Sequence, residues 1–589
     1  MLEAIRKITH TKSYHKGHPN PQCYRDNYVS LNGEWKFVFD ENDEGLEKHY
    51  ETNFPEDYLL INVPYPYQSV ASKINLPDKQ CDVIWYEKEI NIKSLEKVNR
   101  ITFLGVDYKT TVFVNGKKVL FHEGGYNAFT VDLTPHVNLG INKVTLRVED
   151  TMRIDQIRGK QRWRKHSFTC FYTETSGIVR DVYLEELNKT HIDKFTLKAD
   201  SKNKTLKLNV KTTADDKVQL KVKVSDKEDK EVVNKVFEIN PVDEILITFD
   251  DINAWSFNNP YLYDVLLELI KNDEVCDKVL TYVGFTHVHA ENKRIYINGE
   301  DTYLKLVLDQ GYYLDTLTTP TEEEIIKDIE LMIDAGFNGL RIHEKIASPI
   351  AYYYLDLYGL YVWQECPSAH GYSYDVNRQF YKQMPLMVEE HLSHPCIIAY
   401  VLFNESWGIN EIRESKEIQE FTVEMYHLIK KIVDDRFVIS NDGWEHTVSD
   451  LITFHNYSDT YEELFDTLDS GIKKIKNGEN AYCIKDFKKF FAGDYRYQNQ
   501  PLIFSEFAGI AFDKDTETGW GYGKSVKDEE AFLKRYGDQL RFIYEQKDIR
   551  GFCMTQLTDV HQEKNGVFTE DRRPKIPLDK LFELHNKFK

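Results

Sequence analysis

The chain has 589 residues, of which 41% are hydrophobic and 13% aromatic, so it can bury several hydrophobic cores. Its 96 acidic residues outnumber its 75 basic ones, and the formal net charge of −21 argues against nucleic acid or an anionic membrane surface as a partner. The eight cysteines include no Cys-x-x-Cys pair, and the sequence carries neither an apolar signal core nor a long apolar run. These features predict a cytoplasmic protein with reduced thiols, no zinc site and no membrane span.

Residues 1–188 carry the pattern of an all-β domain. Short runs of alternating apolar residues are separated by turn residues, and Asn115-Gly116 between two such runs is typical of a tight hairpin. The predicted strands are Trp35–Phe39, Trp85–Ile92, Thr111–Val114, Val119–Phe121, Val144–Val148 and Val182–Leu184. Their number and spacing predict a jelly-roll sandwich.

Residues 189–285 are also predicted to be β-structure, with more lysine and aspartate on the outer faces. The predicted strands are Leu206–Val210, Val218–Val222, Ile245–Phe249 and Leu262–Leu269. Strands of this length in a segment of this size are typical of an immunoglobulin-like sandwich. No residue in the segment suggests catalysis, so we expect it to act as a spacer and packing module.

From residue 286 to residue 589 the pattern changes to strands that alternate with helices. The eight predicted strands are Tyr303–Leu308, Gly339–Ile342, Leu360–Glu365, Ile397–Asn404, Phe437–Asn441, Leu451–His455, Leu502–Glu506 and Gly551–Gln556. In the clearest helix, Thr321 and Glu324 form a predicted capping box and Gly336 follows as a predicted C-terminal cap. Eight strand–helix units predict a (β/α)8 TIM barrel.

The fourth and seventh predicted barrel strands each lead into a glutamate. Glu405 follows the apolar run Ile397–Phe403, and Glu506 follows Leu502–Phe504. Because the carboxyl ends of barrel strands meet at one mouth, the two carboxylates should face each other there. Glycoside hydrolysis requires such a pair, with one group to protonate the leaving oxygen and one to meet the anomeric carbon.

Motifs along the whole chain resemble glycoside hydrolase family 2, the family of β-galactosidases, β-glucuronidases and β-mannosidases. Leu31-Asn-Gly-Glu-Trp35, Val63-Pro64 and Ser176-Gly-Ile-Val-Arg180 resemble its jelly-roll motifs, and Trp255 to Tyr263 resembles the end of its immunoglobulin-like domain. In the barrel, the resemblance extends over His394 to Glu405, Ser505-Glu506, Thr555 to Val560 and Asn565 to Lys575.

The resemblance implies a retaining mechanism in which Glu506 is the nucleophile and Glu405 the general acid/base. Retaining enzymes hold the two carboxyl groups about 5–5.5 Å apart. The acid needs a raised pKa while the nucleophile stays charged, which a partly desolvated Glu405 and a cation beside Glu506 would provide. The resemblance also implies a β-glycoside substrate and a homo-oligomer, without a cofactor or a metal.

Five residues near the pair are candidate substrate contacts. Asn404 resembles the asparagine that binds the sugar 2-hydroxyl, although a strand-end amide can also serve the backbone. Arg341 could orient Glu506 or form a structural ion pair. His343 could line the pocket or be a structural histidine. Tyr457 resembles the family's tyrosine that bonds the nucleophile, and His455 matches a sugar-contacting position.

Three further candidates have a structural alternative or depart from the family pattern. Asp309 could hold sugar hydroxyls or cap a turn. Trp520, like Trp407 and Trp444, could be a sugar platform or a packing residue. Asn565 lies in Glu563-Lys564-Asn565, where β-glucuronidases have an Asn-x-Lys motif for the substrate carboxylate.

The departure at Glu563 separates the functional hypotheses. A glutamate there would repel a glucuronate, so the first hypothesis is a retaining exo-β-glycosidase that acts on a neutral sugar, a β-galactoside first. The second is a β-hexuronidase with an altered carboxylate-binding loop, in which Lys564 could partly substitute. The third, from another class, is an inactive carbohydrate-binding relative, which the presence of both glutamates argues against.

Overall fold

The N-terminal domain is a β-sandwich, as predicted. The computed structural model describes residues 17–512 and 519–587. A four-stranded sheet has the order Tyr28–Ser30, Val182–Leu187, Val98–Phe103, Phe129–Asp132, and a six-stranded sheet the order Leu59–Val63, Gly33–Phe39, Val83–Ile92, Gly140–Glu149, Lys109–Val114, Lys117–Glu123. A two-stranded sheet pairs Val106–Asp107 with Gly177–Ile178, and short 3₁₀ helices lie at Pro21–Cys23, Val70–Ser72 and Thr134–His136. Alternate residues of the two large sheets share one hydrophobic core.

The second domain is a smaller sandwich with its own core. One sheet contains Ile192–Asp200, Thr205–Thr212 and Val242–Thr248, and the other contains Glu231–Ile239, Val218–Ser225, Tyr263–Lys271 and Glu274–Val283. All pairs are antiparallel, which allows one face of each sheet to be polar and solvated. A three-stranded sheet, Val288–Glu291, Arg294–Ile297 and Glu300–Asp301, then leads into the third domain.

The third domain is the predicted eight-stranded parallel barrel. Its strands in chain order are Leu304–Asp309, Gly339–Ile342, Tyr361–Glu365, Ile397–Val401, Phe437–Ile439, Ile452–His455, Leu502–Ala508 and Ile549–Thr555. Neighbouring strands pair from the first to the fifth and from the sixth to the eighth, and the eighth pairs with the first. The fifth and sixth strands form no ladder with each other, and residues in and beside them bridge the gap, with bonds from Asp450 N to Val438 O (3.0 Å) and from His455 N to Gly443 O (3.2 Å).

Helices surround the barrel. They are Glu322–Asp334, Pro349–Tyr358, Tyr374–Glu389, Lys416–Ile432, Tyr461–Leu464, Ser470–Lys476, Glu529–Glu545 and Leu578–Asn586, with a π-helical turn at Phe465–Asp469 and a small hairpin of Tyr482–Ile484 with Lys488–Lys489. The first helix begins at the predicted capping box, in which the Thr321 and Glu324 side chains each bond the other's backbone N–H. Among the described residues, no helix is both long and apolar enough to cross a bilayer.

The fourth barrel strand is shorter than predicted. Its ladder ends at Val401, and Asn404 forms only an isolated bridge to Asp442. Single backbone bonds continue past the ladder, from Leu402 N to Ile439 O (2.9 Å) and from Asp442 N to Phe403 O (2.7 Å). The chain then turns at Glu405 (φ 51°) and Ser406 (φ 64°), which adopt the left-handed conformation.

Candidate functional site

Glu405 and Glu506 face each other at the carboxyl end of the barrel. Three atoms lie within 4.8 Å of one another: one carboxylate oxygen of Glu405, one of Glu506 and a ring nitrogen of His455. Glu506 belongs to the seventh strand and is 4% exposed, while Glu405 is partly accessible. The spacing leaves room for one glycosidic bond between the two carboxylates.

The backbone at Glu405 is held in a conformation that few non-glycine residues adopt. Its φ of 51° costs free energy for an L-residue and persists only where surrounding contacts fix it. Those contacts are the bond from Glu405 N to Asp442 O (3.0 Å), and the bond from Ser406 N to the Asn441 side chain (3.0 Å). Strain that is secured in this way is typical of functional sites.

Arg341 and Tyr457 hold the carboxylate of Glu506. Nη1 of Arg341 donates to Oε1 of Glu506 (3.1 Å) and to the carbonyl oxygen of Ser505 (2.6 Å). The hydroxyl of Tyr457 donates to Oε2 of Glu506, and its ring stacks on Tyr522 at 3.5 Å between centroids. Both oxygens therefore have a donor, and charge-assisted bonds of this kind fix the orientation of a carboxylate.

Arg341 also binds two carboxylates that close the strand ends around it. Its Nη2 lies 2.7 Å from Oε1 of Glu365 and 2.9 Å from Oδ2 of Asp442. Burial works to raise the pKa of both acids, but Arg341 outweighs it together with the neighbouring histidine, His343 at Glu365 and His455 at Asp442, so each pKa lies below its usual value. The Arg341 guanidinium has no exposed surface, and its carboxylate partners balance its charge, as a buried charge requires.

His455 connects Glu405 to Asp442. Its Nδ1 lies 2.9 Å from Oε1 of Glu405, and its Nε2 lies 2.7 Å from Oδ2 of Asp442 and 3.5 Å from Oε1 of Glu506. Burial alone would lower the pKa of His455, but the negative charges of Glu506 and Asp442 raise it to about 10. Both ring nitrogens then donate, and the ring is an imidazolium.

The charge of His455 acts on Glu405 in turn. Burial works to raise the pKa of Glu405, while the hydrogen bond and charge of His455, with the charge of Lys160, bring it below its usual value. A cationic His455 with both nitrogens bonded to carboxylates is poorly suited to ligate a metal ion, which requires a free lone pair. The cluster of Glu405, His455 and Glu506 therefore fits ion pairing better than metal binding.

Two side-chain amides in the site have buried atoms without a partner among the described residues. Oδ1 of Asn404 accepts from Arg341 (3.2 Å), and its Nδ2 has no acceptor. Nδ2 of Asn565 donates to Oε1 of Glu563 (2.9 Å), and its Oδ1 has no donor. Buried polar atoms are rarely left unpaired, so both amides are poised for a ligand.

The remaining predicted residues are already engaged with protein groups. Nδ1 of His343 lies 2.8 Å from Oε2 of Glu365. Asp309 accepts from Gly311 N (2.8 Å) and lies 3.3 Å from the Lys345 ammonium, the arrangement of a turn cap with an ion pair. Its role in sugar binding stays a prediction that this geometry does not favour.

The three tryptophans differ in position. Nε1 of Trp520 donates to the carbonyl oxygen of Thr169 (3.0 Å), which ties the loop after the seventh strand to the jelly-roll domain. Trp444 is buried, with its ring 5.4 Å from that of His455. Trp407 is half-buried and packs near Phe171 of the jelly-roll domain, 5.6 Å between centroids. A sugar-binding role for Trp520 stays a prediction.

Comparison with protein families accounts for nearly all of the chain. Residues 28–188 match the sugar-binding domain of glycosyl hydrolases family 2, residues 190–285 match the family's second domain, and residues 288–589 match its TIM barrel domain. The chain belongs to glycoside hydrolase family 2. The fold and the family expected from the sequence are thereby confirmed.

Its family 2 relatives carry the names of two activities. A protein of Formosa agariphila assigned as a β-glucuronidase is 25% identical over 81% of this chain and 58% of its own length. A β-galactosidase of Streptococcus thermophilus is 27% identical over 58% of this chain and 35% of its own length. The chain thus spans between about a third and three fifths of these relatives.

Solved family 2 structures match over almost the whole chain. A β-glucuronidase of Ruminococcus gnavus has a TM-score of 0.79 at 18% identity, covering 96% of this chain and 98% of the other. A β-glucuronidase of an uncultured Clostridium species has a TM-score of 0.78 at 19% identity, covering 96% and 99%. At this identity, the similarity establishes the shared fold.

Three charged residues of the site were missed from the sequence. Glu365 is the last residue of the third strand, and Asp442 lies shortly after the fifth, so the rule that singled out Glu405 and Glu506, a carboxylate at a strand end, could have found them. Lys160 comes from the jelly-roll domain and is 5% exposed. No local pattern marks Lys160, because its position depends on how that domain docks on the barrel.

Proposed function

We propose that the protein is a retaining exo-β-glycosidase. The observation that carries the proposal is the pair of glutamates whose carboxylate oxygens approach within 4.8 Å across the barrel mouth. Retaining glycosidases hold their carboxyl groups about 5–5.5 Å apart, whereas inverting enzymes need about 6.5–9.5 Å to admit a water molecule. An approach of the two nearest oxygens within 4.8 Å is compatible with the retaining separation and so with direct attack by one carboxylate.

The surroundings of the two glutamates support distinct roles. Arg341 and Tyr457 hold both oxygens of Glu506, as suits a charged nucleophile that must point at the anomeric carbon. Glu405 is the acid/base: it protonates the leaving oxygen, and after the aglycone departs it deprotonates the water that hydrolyses the glycosyl-enzyme. In the resting site the bond to His455 lowers the pKa of Glu405, which is opposite to the raised pKa expected of the acid, so the proposal requires Glu405 to gain its proton when substrate displaces that bond.

The preferred glycone is a neutral hexose, with a β-galactoside as the first candidate. Glu563 supports this choice, because its buried carboxylate accepts from Asn565 and Tyr172 and would repel a uronate nearby. Lys564 offers little help to a uronate, since its ammonium lies 3.8 Å from Glu570. A β-galactosidase is also among the relatives.

A β-hexuronidase is the second candidate. The observation in its favour is that the family 2 structures of similar fold are named β-glucuronidases. An inactive carbohydrate-binding protein, from a different class, is the third. The paired, oriented carboxylates argue against it, because a protein that only binds sugar gains nothing from two opposed buried charges.

A panel of p-nitrophenyl β-glycosides tests these alternatives. We expect release from the galactoside and little from the glucuronide, and we expect Glu506→Gln to abolish release. Preferential release from the glucuronide would support the second candidate. Sugar binding without turnover of any β-glycoside would leave only the third.

A further inference from the structure

A loop of the jelly-roll domain places a lysine side chain at the barrel mouth. Arg158 N and Gly159 N donate to the carbonyl oxygen of Ser368 (3.1 and 3.0 Å), which fixes the loop to the segment after the third barrel strand. Gly159 has a φ of 59°, and a Cβ there would lie 1.9 Å from Glu344 O, so the two backbones approach as only glycine allows. The next residue is Lys160.

The Lys160 ammonium is buried without a carboxylate in contact. Its Nζ lies 4.6 Å from the ring centre of Trp407, 5.2 Å from that of Phe171 and 5.9 Å from that of Tyr172. Within residues 17–512 and 519–587, it has no ion pair within 4.0 Å. Aromatic faces compensate part of the loss of hydration, but an ammonium has three donors to satisfy.

Burial alone would lower the pKa of Lys160, but the nearby Cys170 and the carboxylates of Glu563, Glu405 and Glu506 raise it. The side chain therefore remains a cation, and the catalytic carboxylates lie within its field. A buried cation that has Cys170 as its hydrogen-bonding neighbour and no carboxylate within 4.0 Å among the described residues is suited to bind substrate oxygens beside the proposed catalytic pair.

Glu563 presents the opposite charge in the same part of the site. It is 1% exposed, and its two oxygens accept from Tyr172 and Asn565, which leaves further lone pairs on each oxygen. Tyr172 joins the two charges, since its hydroxyl holds Glu563 and its ring borders the Lys160 ammonium. Burial raises the pKa of Glu563, and the charge of Lys160 is the strongest influence that opposes this rise.

We propose that Lys160 and Glu563 form a mixed-charge grip that selects an uncharged glycone. The lysine donates to hydroxyl groups of the sugar, and the glutamate accepts from them. Since the two charges balance, the grip holds a neutral sugar without a net electrostatic penalty. A uronate would place its carboxylate against that of Glu563, and Lys160 would be the one cation of the grip to offset both negative charges. This proposal rests on the proposed glycosidase activity and names the residues that decide its glycone.

The test uses sugars that differ only at C6. Values of kcat/KM are measured for the p-nitrophenyl β-galactoside and β-galacturonide, and for the β-glucoside and β-glucuronide, with the parent enzyme, Glu563→Gln, Lys160→Met and the double variant. Glu563→Gln leaves the cation unbalanced, so we expect the uronide-to-hexoside ratio to rise at least tenfold. Lys160→Met should lower hexoside cleavage at least tenfold without raising that ratio, and in the double variant the uronide gain should vanish.

A binding measurement separates this proposal from the catalytic one. In the Glu506→Gln background, calorimetry gives the Kd of galactose and of galacturonate with and without Glu563→Gln, and the ratio of the two constants should move at least tenfold toward the uronate. Lys564→Met is the matched control, because it removes a lysine that lies in the same loop and faces Glu570. The kinetic uronide-to-hexoside ratio and the ratio of the two Kd values should both stay within twofold of the parent.

Three results would overturn the grip. The first is a uronide-to-hexoside ratio that Glu563→Gln leaves unchanged, and the second is a parent enzyme that prefers uronides and no longer cleaves them as Lys160→Met. The third is that neither galactose nor galacturonate binds. The catalytic proposal fails separately, if Glu506→Gln keeps the parent turnover.

Discussion

Nδ1 of His455 lies 2.9 Å from Oε1 of Glu405, so the proposed general acid is bonded to an imidazolium in the resting site. The other ring nitrogen bonds Asp442 at 2.7 Å, and the charges of Glu506 and Asp442 together keep the ring protonated. The same pairing holds the pKa of Glu405 below its usual value, so the proton resides on His455 and not on the proposed acid. A substrate that displaces this hydrogen bond would remove the influence that keeps Glu405 ionised.

The first prediction concerns the pH dependence of cleavage. His455→Asn removes the cation beside Glu405, so the pKa of Glu405 should rise and the protonated acid should persist to higher pH. We expect the basic limb of kcat/KM to move upward by about one pH unit or more. The measurement uses a poor leaving group such as an alkyl β-glycoside, because an activated aryl aglycone needs little protonation.

A buried histidine outside the carboxylate cluster provides the control. Nε2 of His446 bonds the carbonyl oxygen of Thr453 (2.8 Å), and burial lowers the pKa of His446 to about 4. His446→Asn should leave the basic limb where it is, whatever it does to stability. Equal shifts in the two variants would contradict a direct coupling between His455 and Glu405.

The second prediction concerns stability as a function of pH. The folded-state pKa of His455 is about 10 against an ordinary value of 6.5, so protonation favours the folded state. That contribution is fully present below about pH 6.5 and is lost as the pH rises toward 10. Urea unfolding at pH 6 and pH 10 measures this loss. Between the two pH values, the free energy of unfolding of the parent should fall by about 1–4 kcal/mol more than that of His455→Gln. A parallel loss in both would show that His455 does not carry the effect.

The sequence predicted the barrel and the central pair because both follow from local patterns. Apolar runs ending in a polar residue identify strand ends, and barrel topology brings those ends to one mouth, so Arg341, Tyr457 and Glu506 meet although they are distant in sequence. Lys160 could not be found this way, because its position depends on contact between two domains.

Local competition explains the other differences between prediction and structure. The fourth strand ends at Val401, and beyond it only single backbone bonds lead to the turn at Glu405. Asp309 serves Gly311 and Lys345, since a short carboxylate at a strand end meets its own turn before it meets a ligand. A sequence pattern alone cannot decide between such near and far partners.

The third prediction concerns Arg341. Arg341→Lys cannot reproduce bonds to Glu365, Asp442 and Glu506 at once, so it should lower the free energy of unfolding by about 3–5 kcal/mol and kcat by at least about tenfold. Denaturant unfolding and steady-state kinetics check both effects. Arg572→Lys is the control, because Arg572 forms a buried pair with Asp328 (3.1 Å) elsewhere, and its loss should reduce stability while the folded enzyme keeps its kcat.

The fourth prediction concerns the two carboxylates. Glu506→Gln should lower kcat by at least about 10⁴-fold, since no covalent intermediate can form. Glu405→Ala should lose about 10²–10⁴-fold with a poor leaving group and far less with an activated one. Azide should restore Glu405→Ala turnover of the activated substrate and yield the β-glycosyl azide, identified by NMR. An α-azide would contradict a retaining site.

The fifth prediction concerns Asn404, whose buried Nδ2 has no acceptor among the described residues. A hydrogen bond from Asn404 to the sugar 2-hydroxyl would strengthen in the transition state. Asn404→Ala should therefore lower kcat/KM for the parent glycoside about 10–100-fold. On the 2-deoxy glycoside, the same substitution should cost less than about twofold, because the hydroxyl that it served is already missing. The double-mutant cycle between residue and hydroxyl measures this coupling directly. Equal losses on both substrates would mean that Asn404 acts through Arg341, to which its Oδ1 is bonded, and not through the sugar.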